Sequence, residues 1–208
     1  MKMYWDNYYR NKKKNTKASN FSQFFLKNFL DKNSVLLDIG TGDGRDAFFF
    51  HNKVKLIFAM DQSSVAIKNN NIKKNKLNLK NIFFKKMSIN NLKYFKSKKI
   101  KYVYARFFLH AINRKKEDIF LNNLKKNFDS KTLIALEYRT IKDKLMKKGK
   151  KISKYERFTD HYRRFVDPKK FDEKIKKRNF KIIYKKQGIN LSKTPKDNPY
   201  LCRIVFRI

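Results

Sequence analysis

The sequence predicts an α/β fold, a doubly wound parallel sheet with helices on both faces. Two observations carry that expectation. Short apolar runs alternate along the chain with polar stretches of helical spacing. Three of the five glycines, Gly40, Gly42 and Gly44, fall within five residues, directly after the apolar run "SVLLDI".

The elements follow in order. "SVLLDI" reads as a buried first strand, "GRDAFFFHN" as a helix, and "KLIFAM" as a second strand ending at Asp61. "SSVAIKNNNIKKNKL" has helical spacing, with Ser63 or Ser64 as its N-cap. "IFFKKM" and "KYVYARFFLH" are the third and fourth strands, "EDIFLNNLKKNF" is a helix, and "TLIALEY" is the fifth strand. Arg139 to Val166 is polar and shows no clear period. Asp167 then caps a helix with Pro168 at its first position, running through Arg178. "KIIYKKQG" and "YLCRIVFRI" form a closing, hairpin-like pair of strands. No repeat or linker interrupts the chain, so residues 1–208 read as a single domain.

Composition bounds the function. The 208 residues carry 54 Lys+Arg against 17 Asp+Glu, a net charge of +37. That invites a nucleic-acid partner. Against it, 43 of the 54 cations are Lys, Asn numbers 22 and Phe 20, whereas Gly and Pro together number eight. Compositional drift toward residues with A/T-rich codons produces the same bias on any fold, so both explanations of the charge stand. A lone Cys202, inside an apolar run, leaves no internal disulfide and no cysteine-built metal site. No signal peptide and no membrane-length apolar run is visible. The expectation is a cytoplasmic monomer or dimer without metal or membrane partner.

The glycines lie where a doubly wound sheet binds its ligand, at the carboxyl end of the first strand. A dinucleotide site wants G-x-G-x-x-G, but here Arg45 occupies the third glycine's place and the spacing is G-x-G-x-G. Charge also argues against a pyrophosphate. Ser34 to Asp61 holds four acids and three bases, a net of −1, where the chain average scales to about +5. A ligand without phosphates, bearing an ammonium and a sulfonium, suits such a site; S-adenosylmethionine is that ligand. Asp61 is placed to accept from both ribose hydroxyls.

"VLLDIGTGDGRDAFFF" followed by "IFAMDQSSVAI" resembles the class I S-adenosylmethionine-dependent methyltransferases. The resemblance implies a Rossmann-like sheet of seven strands with the last antiparallel. It implies cofactor contacts from Asp38, Gly40, Thr41, Gly42, Gly44, Arg45, Asp61, Gln62, Ser88, Ile89 and Arg106. Ser88 stands where the family often has Asp near the adenine. "YWDNYY" followed by "ASNFSQFF" is similar to an amino-terminal helix that lids the cofactor, here residues 1–33, and residues 139–167 form a substrate-side insertion. The glycine-loop form is most similar to small-molecule enzymes of the thiopurine and tellurite-resistance type. "EYRT", "HYRRFVD" and "DNPYLCRIVF" resemble bacterial methyltransferases associated with capsular polysaccharide.

In a chain that writes most cations as Lys, each Arg marks a place for a planar, bidentate donor. Arg139, Arg163 and Arg164, with Tyr9 and Tyr162, are the expected acceptor contacts, matched to phosphate or carboxylate oxygens. The alternative is structural pairing of the arginines with Glu137, Glu156 or Asp160. His161 and His110 are the base candidates; Tyr138 is a wall or core residue. An RNA methyltransferase and a non-catalytic cofactor-binding protein are the competing readings.

Overall fold

The computed structural model describes residues 2–11, 17–195 and 197–208. Part of the expected 1–33 lid, residues 1 and 12–16, lies outside them. Five parallel strands, β1 (Val35–Ile39), β2 (Leu56–Asp61), β3 (Ile82–Lys86), β4 (Tyr102–Arg106) and β5 (Leu133–Arg139), join β9 (Lys181–Gly188) and β10 (Leu201–Arg207) in one sheet. Its order is β3-β2-β1-β4-β5-β10-β9. β10 is antiparallel to both of its neighbours and sits inside the sheet, with β9 at the edge. The seven-stranded expectation therefore holds. The strand order reverses between β1 and β4, so a crevice opens over the carboxyl ends there.

Strand residues alternate between two cores, as a two-faced sheet requires. Leu37 and Ile39 face one side with α5 (Arg114–Asn127) and α6 (Pro168–Lys176). Leu36, Ile57 and Tyr104 face the other with α2 (Asn20–Asn28), α3 (Arg45–Phe50) and α4 (Ser64–Lys76). Ser63 is the N-cap of α4, accepting from the Ala66 amide. Asp167 caps α6, which ends two residues before the expected Arg178. α5 begins three residues earlier than "EDIF", because Asn113 accepts from the Lys116 amide and starts the helix there.

Two regions differ from the sequence reading. The amino-terminal segment forms two helices with separate tasks. α1 (Lys2–Asn11) packs on α4, whereas α2 buries Phe21 and Phe25 in the core against Tyr104. The aperiodic stretch after β5 folds into a small antiparallel sheet, β6 (Lys150–Ser153), β7 (Glu156–Phe158) and β8 (Tyr162–Arg164). β6 is exposed along its whole length, so no apolar alternation marks it.

Candidate active site

The chain leaves β1 through a hook on β2: the amides of Gly40 and Thr41 both donate to the Met60 carbonyl, at 2.8 and 3.0 Å. Gly42 continues the turn at φ +56°, where a side chain is disfavoured. Its amide donates to Asp61 Oδ2 at 3.0 Å, and the Ser63 amide donates to Oδ1 at 2.9 Å. Asn70 of α4 reaches back to donate to the Gly42 carbonyl at 2.8 Å. Asp61 thus stands at the crevice, held by backbone amides, with no cation on it among the described residues. Burial raises its pKa, against the Ser63, Gly42 and Gln62 amides.

Asp38, at the base of the same loop, is buried, and burial foremost lifts its pKa to about 8, with Asp46, Asp61 and Asp43 pushing the same way. Asp61 and Asp38, neither paired with a cation among the described residues, stand beside a glycine-rich loop and fit a ligand that brings hydroxyl donors and positive charge. They repel a pyrophosphate. Asp46, read from sequence as one of the loop's acids, has another task. It accepts from the Ser19 amide and hydroxyl and from the Tyr104 hydroxyl, all at 2.8 Å, and so ties α2 to the start of α3.

α1 closes this loop from above. Asp6 accepts from the Ser63 hydroxyl at 2.6 Å and from the Val65 amide at 3.2 Å, fastening α1 to the start of α4. The Tyr9 hydroxyl lies directly over Gly42. Burial, then Asp61 and Asp43, raise the Tyr9 phenol well above its usual pKa. Tyr9, expected at the acceptor, is therefore placed on the glycine loop. Of the remaining loop residues, Arg45 begins α3 and Gln62 is exposed after β2. Ser88 accepts from the Asn90 amide at 3.3 Å, starting the short helical turn that contains buried Ile89.

The other half of the crevice lies over β4 and β5. His161, just before β8, stacks on Tyr4 with ring centres 4.7 Å apart and meets Trp5 edge-on at 5.2 Å. Its Nδ1 lies 3.0 Å from Asp160 Oδ2, off the line of a full hydrogen bond. Asp160 also accepts from Tyr4 (2.9 Å), Thr159 (2.6 Å) and Arg163 (3.0 Å). Burial would raise the Asp160 carboxyl, but the hydrogen bonds from Thr159 and Tyr4, with His161 alongside, outweigh it and hold it well below the usual range. Burial and then Arg163 lower His161, against Asp160.

His110 is 5% exposed, and its Nδ1 has no hydrogen-bond partner among the described residues. Burial lowers its pKa strongly, and Arg139, Arg163, His161 and Arg106 add to the effect. It follows Phe107, which takes φ +56° and lies 5.1 Å from the imidazole. His110, His161 and Arg163 thus converge on one region.

The remaining arginines are engaged elsewhere. Arg139 makes a two-pronged pair with Asp143, at 2.8 and 3.0 Å, and a second pair with Asp197. Arg164 donates to the Ile112 and Leu109 carbonyls and pairs with buried Glu117 at 2.5 Å. Arg106 and Arg203 share the buried Glu137, at 3.0 and 2.6 Å. The partners named from sequence are therefore right for Arg106 and Arg163, while Arg139 and Arg164 take Asp143, Asp197 and Glu117. The Tyr162 hydroxyl donates to Glu156, and Tyr138 is a core residue against Phe171. Tyr4 and Trp5 were not singled out individually in the sequence, and Asp160 was named only as an arginine partner. The available signal was the acid adjoining His161, together with the "YW" pair in the lid-like segment.

Residues 30–194 match the family model described as a methyltransferase domain. No curated protein matches the sequence. Among solved structures, the fold is similar to a S-adenosylmethionine-dependent methyltransferase from Methanosarcina mazei, with TM-score 0.75 and 15% identity over 88% of this chain and 96% of that one. It is similar to another from Anabaena variabilis, with TM-score 0.73 and 15% identity over 99% and 92%. It is also similar to the [4+2]-cyclase SpnF, with TM-score 0.71 and 12% identity over 93% and 83%. At these identities the likeness establishes the fold alone. The family match spans the glycine loop, Asp61 and both histidines over the crevice, and the chain belongs to the methyltransferase domain family, with S-adenosylmethionine as its cofactor.

Proposed function

We propose that the protein transfers a methyl group in line to a small acceptor that is anionic or sugar-linked. The observation that carries this reading is the convergence of His110, His161 and Arg163 beside the α1-covered glycine loop. Asp61 and the glycine loop at residues 40–44, whose backbone a ligand can approach closely, are the proposed cofactor holders, with Asp38 buried at the base of the loop. The cofactor, when bound, supplies an electrophilic methyl on sulfonium. The chain aligns the acceptor and excludes water. Tyr4, Trp5 and Tyr9 form a wall that does both.

Arg163 offers the acceptor a cationic fork. Arg139, though paired, adds positive charge close enough to act on both histidines. Arg164 holds β8 against α5 and the Leu109 turn, which keeps His161 in register. An oxyanion on a phosphate, carboxylate or acidic sugar suits that surrounding, whereas a cationic acceptor is repelled. The test is a metabolite panel incubated with methyl-labelled cofactor. Label in anionic small molecules supports the reading. Label confined to RNA refutes it in favour of the RNA alternative, and binding without any transfer favours the non-catalytic one.

A further inference from the structure

We propose that His161 and Asp160, completed by Tyr4 of α1, form a general-base dyad, and that the acceptor's reacting atom is a hydroxyl oxygen. This rests on the small-acceptor reading above and narrows it to one kind of bond.

The geometry carries the argument. Asp160 Oδ2 lies 3.0 Å from His161 Nδ1 and 2.9 Å from the Tyr4 hydroxyl, while Oδ1 is held by Thr159 and Arg163. A carboxylate fixed by three donors on its neighbours orients an imidazole, as the acid member of a triad does. With Nδ1 toward Asp160, Nε2 is the nitrogen left to take a proton. The off-line approach in the absence of acceptor is common for catalytic bonds, which tighten when the site fills. The dyad also adjoins the cofactor loop through two aromatic steps. His161 meets Trp5 at 5.2 Å, Trp5 stacks on Tyr9 at 6.1 Å, and the Tyr9 hydroxyl covers Gly42.

The surroundings select the atom. Among the described residues, Arg163 and Arg139 act on His161, His161 acts on His110, and Asp160 is the acid beside it. Burial first, and then Arg163, shift the imidazole toward its neutral form, which can accept a proton. The arginines' field disfavours an ammonium acceptor and favours an oxygen on which negative charge develops. A carboxylate or an amine free base needs no base, and a thiol ionises near neutrality; a hydroxyl is the acceptor for which a base changes the rate most. The acceptor's O–H proton moves to Nε2 of His161 as its oxygen forms the new O–C bond. The electron pair of the broken S–C bond stays on sulfur, so charge and atoms balance.

Nitrogen-detected NMR of the full chain, labelled at histidine and without cofactor, tests the dyad. At neutral pH, His161 is expected as the neutral Nδ1–H tautomer. Asp160→Asn is expected to move at least half of it to the Nε2–H form, and Tyr4→Phe to shift it less, with circular dichroism unchanged. An Nε2–H tautomer in the unmodified protein, or no response to Asp160→Asn, overturns the dyad. The second arm is a low-molecular-weight cell extract incubated with methyl-labelled S-adenosylmethionine and read by mass spectrometry. Methyl ethers support the inference, and Asp160→Asn should then form them at least tenfold more slowly at unchanged cofactor affinity. Methyl on nitrogen, sulfur or a carboxylate overturns the dyad and leaves the small-acceptor reading intact. Labelled RNA beside unlabelled small molecules overturns both.

Discussion

The Tyr9 hydroxyl occupies the space a Cβ on Gly42 would need. Gly42 is also at φ +56°. A side chain there meets two penalties, left-handed backbone strain of about 1–2 kcal/mol and eviction of Tyr9. Gly42→Val should abolish cofactor binding in calorimetry while far-UV circular dichroism stays native. Trp5 is the chain's single tryptophan and stacks on Tyr9. Its emission should therefore shift to longer wavelength as α1 lifts, which reports the displacement directly.

Asp61→Ala should weaken cofactor binding tenfold or more. Charge-assisted hydrogen bonds contribute roughly 1.5–3 kcal/mol each, and two ribose hydroxyls are in question. Calorimetry is the measurement, and an unchanged affinity would remove Asp61 from the cofactor site.

Asp46→Ala should destabilise the fold by about 3 kcal/mol or more, because the Ser19 amide and the Tyr104 hydroxyl lose their acceptor in the interior. Cofactor affinity of the folded variant should change far less than for Asp61→Ala. Urea titration followed by calorimetry separates the two effects.

Stability should fall on the acid side through His110. Its native pKa lies well below the unfolded value near 6.5, so the unfolded chain binds the extra proton first. The imidazole's contribution is complete above about pH 6.5 and is lost as pH drops toward the native pKa. In His110→Asn that acid limb should flatten; thermal melts between pH 5 and 7.5 check it.

Ionic strength distinguishes the acceptor classes. Turnover of a small acceptor should vary only modestly between low and physiological salt. RNA methylation by a chain of charge +37 should fall steeply, because each neutralised phosphate releases counterions. Initial rates across a salt series decide the matter.

Most of the main sheet was legible because its strands are apolar runs bounded by polar segments. "KIIYKKQG" matches β9 residue for residue. The small sheet was not legible: Lys150–Ser153 is solvated on both faces, so nothing in its pattern distinguishes strand from loop. The crevice was half legible. Glycines and a strand-end acid are local signals, and His161 adjoins its partner Asp160 in sequence. Tyr4, however, arrives from 156 residues away. The pairings of Arg139 and Arg164 were missed in part for a similar reason. Arg139 meets Asp197 across 58 residues, a partnership set by the loop before β10.

The position of β10 has a consequence for how the chain matures on the ribosome. β9 emerges first, yet its one neighbour in the sheet is β10, which must insert between it and β5. Until β10 is available, the half-sheet of β1–β5 presents β5 as a bare edge, and β9 has nowhere to pair. Exposed edges of this kind recruit other chains. Nascent chains arrested before Leu201 should therefore be the species that chaperones hold and that aggregates capture, although the glycine loop was synthesised long before.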